Sequence, residues 1–236
     1  MVDVAVVGGG VAGCELALRL DRAGRSVVLV TTSLDTVYTS EPPFLDVSEL
    51  IGVAAKEAAA LQPDADRLSR WELHTHVKQV LEQHSGVHLM QSSVEQLVPE
   101  TNGWSVETWE GVPIEAERVV LAVGTFLNAV LHVGRTVETS GRLGEIAYPD
   151  LFHWLQGKDV PLERHSDAGK NDDGVAWTRD YWAIRSEGTP PFAVPGLPGV
   201  HAIGRCRTGC TTYEATVADA TALADHVIND ALDATF

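Results

Sequence analysis

Val4-Ala5-Val6-Val7-Gly8-Gly9-Gly10-Val11-Ala12-Gly13-Cys14-Glu15-Leu16-Ala17-Leu18 is the stretch on which the reading of this chain turns. Val4 to Val7 is an unbroken apolar run, the pattern of a strand buried on both faces of a parallel sheet. From Gly13 onward Leu16, Ala17, Leu20 and Ala23 recur at helical spacing, Gly24 supplies a helix stop, and Val27 to Val30 begins a second buried strand. The unit is therefore β-α-β, of about thirty residues. Gly8 to Gly13 fits G-x-G-x-x-G directly after a strand and at the opening of a helix, the one context in which that spacing has a mechanism. Gly8 permits the tight turn, Gly10 lets the backbone approach a pyrophosphate, and Gly13 lets helix and strand pack closely. Val11 and Ala12 complete the loop, and the free N–H groups of the helix N-terminus face the negative charge. The second strand ends in Val30-Thr31-Thr32-Ser33, where an Asp or Glu would hold the ribose of NAD. Thr32 and Ser33 hydroxyls stand in its place, which weakens an NAD-binding reading, and Asp35 reads as a loop carboxylate.

Working outward, a short helix is expected from Ser48 to Leu61. A longer one is expected from Asp66 to His84, with Leu73, Val77, Val80 and Leu81 on one face and Gly86 ending it. Three extended pieces follow, Gln91 to Val98, Trp104 to Trp109 and Pro113 to Ala116, joined by Asn102-Gly103 and Glu110-Gly111 turns. They predict an antiparallel meander. Val119 to Val123 reads as another buried strand, Val200 to Ile203 as a last one, and Tyr213 to Leu232 as a closing helix with Val217, Ala220, Ala224 and Val227 inward. Residues 148–198 are polar and punctuated by proline, and the sequence assigns them no structure. A β-α-β unit, a meander and a returning strand together predict an α/β fold of the two-dinucleotide-binding (FAD/NAD(P)-binding) flavoprotein type, with a parallel sheet, helices and a β-meander. A single domain over residues 1–236, with FAD as cofactor, is the expectation.

Seventeen Lys and Arg against 33 Asp and Glu leave a net charge of −16. A surface of that sign repels phosphate backbones and anionic lipid, so the isolated chain is not expected to bind nucleic acid or membrane. Cys14, Cys206 and Cys210 are too few for a disulfide framework and suit a reducing compartment, the cytoplasm. No basic stretch precedes the first apolar run, so no signal peptide is expected. The long apolar-rich stretch between Arg118 and Arg135 is broken by Gly124, Thr125, Asn128 and His132 and is too short to span a bilayer.

Four stretches carry a resemblance: VAVVGGGVAGCELAL at 4–18, VTTSLDTV at 30–37, VVLAVGTFLNAVLHVG at 119–134 with SGRLGE at 140–145, and HAIGR at 201–205 with TTYEATVADA at 211–220. On these the chain resembles the FAD-binding domain of the glucose-inhibited division protein A family, tRNA uridine-modifying flavoproteins related to the folate-dependent tRNA methyltransferases. It is similar to a short stand-alone relative of them. The resemblance implies an FAD pyrophosphate on Gly8 to Gly13, the adenosine side near Thr32, Ser33 and Val94, and the backbone of Ala122, Val123, Gly124 and Thr125 beside the cofactor. It places Gly204 and Arg205 at the ribityl and phosphates. It also makes Thr212 to Ala215, with Tyr213, Glu214 and Ala215, the start of a helix whose dipole faces the flavin ring and favours the reduced, negative form. Two features depart from the family. The family's loop cysteine is replaced by Tyr38-Thr39-Ser40-Glu41-Pro42-Pro43, and neither the inserted domain that handles the reductant nor the C-terminal helical domain that docks tRNA fits in 236 residues. The resemblance therefore does not carry uridine modification over.

Other residues admit two readings. Cys206 and Cys210 are a redox pair or a nucleophile beside the flavin, or else small buried residues; Cys14 is a packing residue. His74 and His76, two apart on a helix, point to different faces and do not make a metal pair, so no metal site is assigned. Arg142 meets an anion or pairs with Glu145. Trp177, Tyr181 and Trp182 wall a substrate pocket or close the core. No catalytic residue is assigned. The leading functional expectation is a flavin-dependent oxidoreductase of unknown substrate, related to the tRNA uridine-modifying flavoproteins. The alternative is a noncatalytic FAD-binding module acting through a partner protein; a small molecule or a protein is the expected partner.

Overall fold

The structure, a computed structural model, describes residues 1–39, 44–171, 173–185 and 192–233. The opening β-α-β unit forms as the sequence predicts: β1 (Val2–Val7), α1 (Val11–Arg22) and β2 (Val27–Thr31), with β1 and β2 parallel and Val4 opposite Val27. Val4 to Val7 are wholly buried, as a strand covered on both faces requires.

Next come β3 (Phe44–Asp46), a single 3-10 turn at Val47–Glu49, α2 (Val53–Ala60), β4 (Arg67–Ser69) and α3 (Arg70–Gln83). The helix expected from Ser48 is thus two pieces, because Gly52 at φ 89° interrupts it. The helix expected from Asp66 starts later, at Arg70. Ser69 is its N-cap: the Ser69 hydroxyl accepts from the Glu72 amide at 3.2 Å and the Glu72 carboxylate accepts from the Ser69 amide at 2.8 Å. This capping box fixes the start, and the residues before it pair with β3.

The central sheet continues through β5 (Val87–Gln91), β6 (Val94–Glu100), β7 (Gly103–Thr108), β8 (Ile114–Leu121) and β15 (Val200–Ala202). Among the described residues its order is β5-β2-β1-β8-β7-β6, with β15 also on β8. Two sequence assignments are corrected here. Strand β5, parallel to β2, is not among the strands the sequence predicts, and the pieces expected at Pro113 to Ala116 and Val119 to Val123 are one strand. Glu115, Glu117 and Arg118 interrupt the apolar run without interrupting the strand, because the glutamates are exposed on a face the core does not cover. One edge of β8 runs parallel to β1; the other is shared between β7, antiparallel, and β15, parallel.

The described residues of the unassigned region form regular elements. It contains α4 (Pro149–Gly157) and a long hairpin, β13 (Leu162–Lys170) and β14 (Ala176–Ile184). With β9 (Val130–Val133) and β10 (Thr136–Glu138) the hairpin makes a second sheet, order β10-β9-β14-β13, flanked by the short pair β11 (Ser140–Arg142) and β12 (Glu145–Ile146). Helix α5 (Tyr213–Asp233) buries Val217, Ala220, Ala224 and Val227 as expected. One core lies under α1, α2, α3 and α5, and another lies on the opposite face of the sheet under α4 and the meander. Pro42 and Pro43, read as a loop, fall outside the described residues. Among the described residues no helix is long and apolar enough to cross a membrane.

Candidate cofactor site

The glycine loop joins the carboxyl end of β1 to the amino end of α1, where strand ends in an open parallel sheet leave a crevice. Gly8 sits at φ 114°, and a Cβ on it would lie 2.4 Å from the Ala122 carbonyl oxygen. A Cβ on Gly13 would lie 2.0 Å from the Gly8 carbonyl oxygen. These two glycines are required by the fold itself. Gly10 differs: a Cβ there meets no protein atom within 4 Å, and its φ of −76° is ordinary. The space beside Gly10 is open cavity, not core. No acidic residue occupies the first turn of α1 to neutralise its N-terminus.

The cavity has a volume of about 510 Å³. Its floor is the loop from Gly8 to Ala12, Gly9 included. Ala122, Val123, Gly124, Thr125 and Phe126, following β8, form one wall. Thr31 and Thr32 close the end beyond β2, and Thr211 to Glu214 the end at α5. Of the sequence-predicted residues, Gly8, Gly10, Val11, Ala12, Thr32, Ala122 to Thr125, Arg205, Tyr213 and Glu214 are brought together on this one surface.

Five others do not line it. Gly13 packs beneath the loop. The Ser33 carbonyl accepts from the Thr31 hydroxyl at 3.3 Å, and its own hydroxyl accepts from the Asp35 amide at 3.2 Å. Val94 is buried in the core on the α4 side of the sheet, because the pleat of β6 turns it inward. Gly204 supports the floor from below: its amide donates to Asp219 at 3.0 Å, and a Cβ on it would lie 3.0 Å from that of Ala12. Ala215 lies in the first turn of α5, where its amide donates to the Thr212 hydroxyl at 3.1 Å, making Thr212 the helix cap.

The second sheet and the loops add lining residues that the sequence did not mark. Tyr148, at the start of α4, and Arg179, on β14, both came from the unassigned region. The two-residue alternation of Arg179, Tyr181 and Ala183 along β14 puts Arg179 on the buried face, a placement that the sequence alone did not mark. Arg142 pairs with Glu145 at 2.8 Å, and Glu145 also accepts from the Thr36 hydroxyl at 3.0 Å. Burial pushes the Tyr148 phenol up, against the pull of its hydrogen bond with Thr32.

Beside the loop, Tyr38 holds a left-handed backbone at φ 55° and donates its amide to the Gly9 carbonyl at 2.8 Å. Its hydroxyl donates to the wholly buried Glu15 at 2.8 Å and lies 3.1 Å from the Tyr213 hydroxyl. Burial, reinforced by the Glu15 carboxylate, raises the Tyr38 phenol well above its ordinary range. Glu15 also accepts from the amides of Val53, Ala54 and Ala55, at 2.6, 3.2 and 3.2 Å, so a side chain of α1 caps α2.

The three cysteines are buried free thiols. Cys14 donates to the Gly9 carbonyl and Cys206 to the Leu121 carbonyl, at 3.2 and 2.9 Å. Burial pushes the Cys206 thiol up to about 12 and raises Cys14 and Cys210 as well, the opposite of what an activated nucleophile needs. His74 lies 2.7 Å, through Nδ1, from the Val37 carbonyl. Among the described residues no three metal-ligating side chains cluster. Tyr181 is buried under Arg179 and Arg205, while Trp182 packs on Phe152.

The sequence profile of the family described as Glucose inhibited division protein A matches residues 3–41 and 52–179. The chain belongs to the glucose-inhibited division protein A family. Among relatives of this family, the tRNA uridine 5-carboxymethylaminomethyl modification enzyme MnmG of Chlamydia muridarum is 32% identical over 189 residues, covering 69% of this chain and 31% of that protein. The chain thus spans about a third of the length of the curated relatives it matches. The crystal structure of the GidA-related protein from Thermus thermophilus is 32% identical, with a TM-score of 0.82 over 97% of this chain and 99% of that one. Aquifex aeolicus GidA superimposes with a TM-score of 0.80 at 16% identity over 96% of this chain and 63% of that one. The thioredoxin reductase of T. acidophilum does so with 0.61 at 14% identity, covering 98% and 99%. These last two show the fold alone. The fold is the two-dinucleotide-binding one that the family shares with thioredoxin reductases.

Proposed function

We propose that this member of the family holds FAD noncovalently in the cavity and works as a flavin-dependent oxidoreductase on a substrate still to be identified. The observation that carries the reading is the contrast within the glycine loop. Gly8 and Gly13 are packed against backbone, while the Cβ position of Gly10 opens into the cavity at an unneutralised helix N-terminus. A dinucleotide pyrophosphate needs that combination of close backbone approach and free amide donors. Thr32 stands at the adenosine end, the backbone from Ala122 to Thr125 runs alongside, and the α5 N-terminus closes the far end. When bound, FAD supplies electron and hydride transfer; this chain's own residues orient it and shape the field around it. The amides of the first turn of α5, capped by Thr212, favour negative charge at that end of the cavity.

A second reading, a noncatalytic FAD module serving a partner protein, is favoured by the thiols: Cys206 and Cys210 are buried and pushed up, so neither is poised as a redox partner for the flavin. The reading includes a cytoplasmic location, supported by three free buried thiols. Purification decides between the two functions. The protein is expected to carry released FAD identifiable by absorbance and mass, and NADH or NADPH is expected to bleach it. Bound FAD inert to both nicotinamides would favour the module, and a colourless protein that takes up no added FAD would overturn both.

A further inference from the structure

The second sheet carries a charged constellation that the glycine loop does not need. Arg179 stands opposite Asp167 in the β13–β14 register. It donates through Nε and Nη2 to the Asp167 carboxylate, at 3.1 and 2.5 Å, and through Nη1 to the Gly141 carbonyl at 2.6 Å. The same carboxylate accepts from Nη2 of Arg205 at 2.6 Å. One acid therefore orients two guanidiniums that come from different parts of the chain. Both arginines line the cavity, and Asp167 does not. The Tyr181 ring backs the pair, 5.9 Å from the Arg179 guanidinium carbon and 5.8 Å from that of Arg205, and Trp177 lies 5.1 Å from Arg179. Aromatic faces and a shared carboxylate hold each plane in one orientation, so little rotamer freedom remains to be lost on binding.

The charge distribution gives this arrangement its direction. A chain of net charge −16 repels anions over most of its surface. Yet every cation on the cavity wall is an arginine: Arg142, Arg179 and Arg205, delivered by β11, β14 and the turn after β15. Arginine offers a planar fork matched to carboxylate and phosphate, where lysine offers a point charge.

Resting on the oxidoreductase reading above, we propose that Arg179 and Arg205, oriented by Asp167, form an oxyanion subsite in the cavity wall that takes the phosphate or carboxylate group of its substrate. The diphosphate of a dinucleotide lying on the glycine loop, which the resemblance puts at Arg205, has the same chemistry and is the competing source. Inorganic phosphate, titrated calorimetrically into the full chain stripped of cofactor and again with FAD added, distinguishes them. Phosphate should bind the stripped protein, and Arg179→Gln and Arg205→Gln should each weaken it at least about tenfold, the loss of one charged hydrogen bond. Arg179→Lys and Arg205→Lys, which keep the charge without the fork, should recover part of that loss; thermal melts establish that each variant is folded. Phosphate binding that FAD abolishes assigns the subsite to the cofactor's own diphosphate and overturns the proposal. Phosphate binding that persists with FAD present assigns it to a substrate anion. No phosphate binding to the stripped protein, or binding unchanged in both glutamine variants, overturns the proposal. A protein that fails to take up FAD would refute the cofactor reading and leave the stripped-protein measurement to decide this one.

Discussion

Gly10 and Gly13 are three positions apart and have opposite tolerances. Gly13→Ala would drive a methyl group to within 2.0 Å of the Gly8 carbonyl oxygen, both on backbone that cannot yield, so a loss of about 3 kcal/mol or outright failure to fold is expected. The Cβ of Gly10→Val has no protein atom within 4 Å and needs no unusual φ, so the change should cost only about 1 kcal/mol while emptying the FAD site. Chemical denaturation and flavin absorbance on the two variants test this pair; full FAD occupancy in Gly10→Val would remove the pyrophosphate from the loop. The cysteines give a second test at this scale. With Cys206 pushed up to about 12 and all three thiols buried, a disulfide reagent at about pH 8 should modify none in the native protein and all three once it is unfolded, since the thiolate is the reactive form. Rapid native modification of Cys206 or Cys210 would restore them as redox candidates.

Helix α2 has no side-chain cap of its own, and Glu15 of α1 provides one from outside. Gly52 leaves room for it, since a Cβ there would lie 2.5 Å from the Glu15 carboxylate. Glu15→Gln replaces one acceptor oxygen with an NH2 facing amide donors, and should cost about 2–3 kcal/mol in urea unfolding. A loss below half of that would mean the carboxylate is not what holds α1 to α2. Helix α5 presents its capped N-terminus, with Glu214, to the cavity. Glu214→Lys turns a negative charge positive there and should move the reduction potential of bound FAD to a more positive value with occupancy retained, because the anionic reduced form gains most. An unchanged potential in a redox titration would take the flavin ring away from this helix.

The whole molecule is acidic, and its three cavity arginines are drawn inward by Asp167 and Glu145 instead of spread across a face. A nucleic-acid grip needs several outward cations to displace counterions. The chain by itself is therefore expected to bind tRNA weakly or not at all in a gel-shift titration at physiological salt. A submicromolar, salt-sensitive complex would bring the relatives' tRNA chemistry back to this chain. At this scale the two sheets also divide the labour: the central one supplies the floor of the cavity and the second one supplies Arg179 for its wall.

The sequence by itself determined the β1-α1-β2 unit, the glycine loop and α5, because each is written in local terms. Apolar runs, a 3.6-residue period and a glycine, Gly13, whose Cβ would strike the neighbouring Gly8 carbonyl all act within one window of chain. The β13–β14 hairpin stayed illegible because its polar alternation mixes a half-buried sheet with charged contacts that only their partners explain. Tertiary structure alone decided that β8 would be one strand with two neighbours sharing its far edge, that Val94 would face the core, and that Glu15 would cap a helix some forty residues away. It also decided that Asp167 would join Arg179 to Arg205. Pairings across such separations leave no period in the sequence; they exist only once the strands have taken their order, and burial then selects which polar groups must meet.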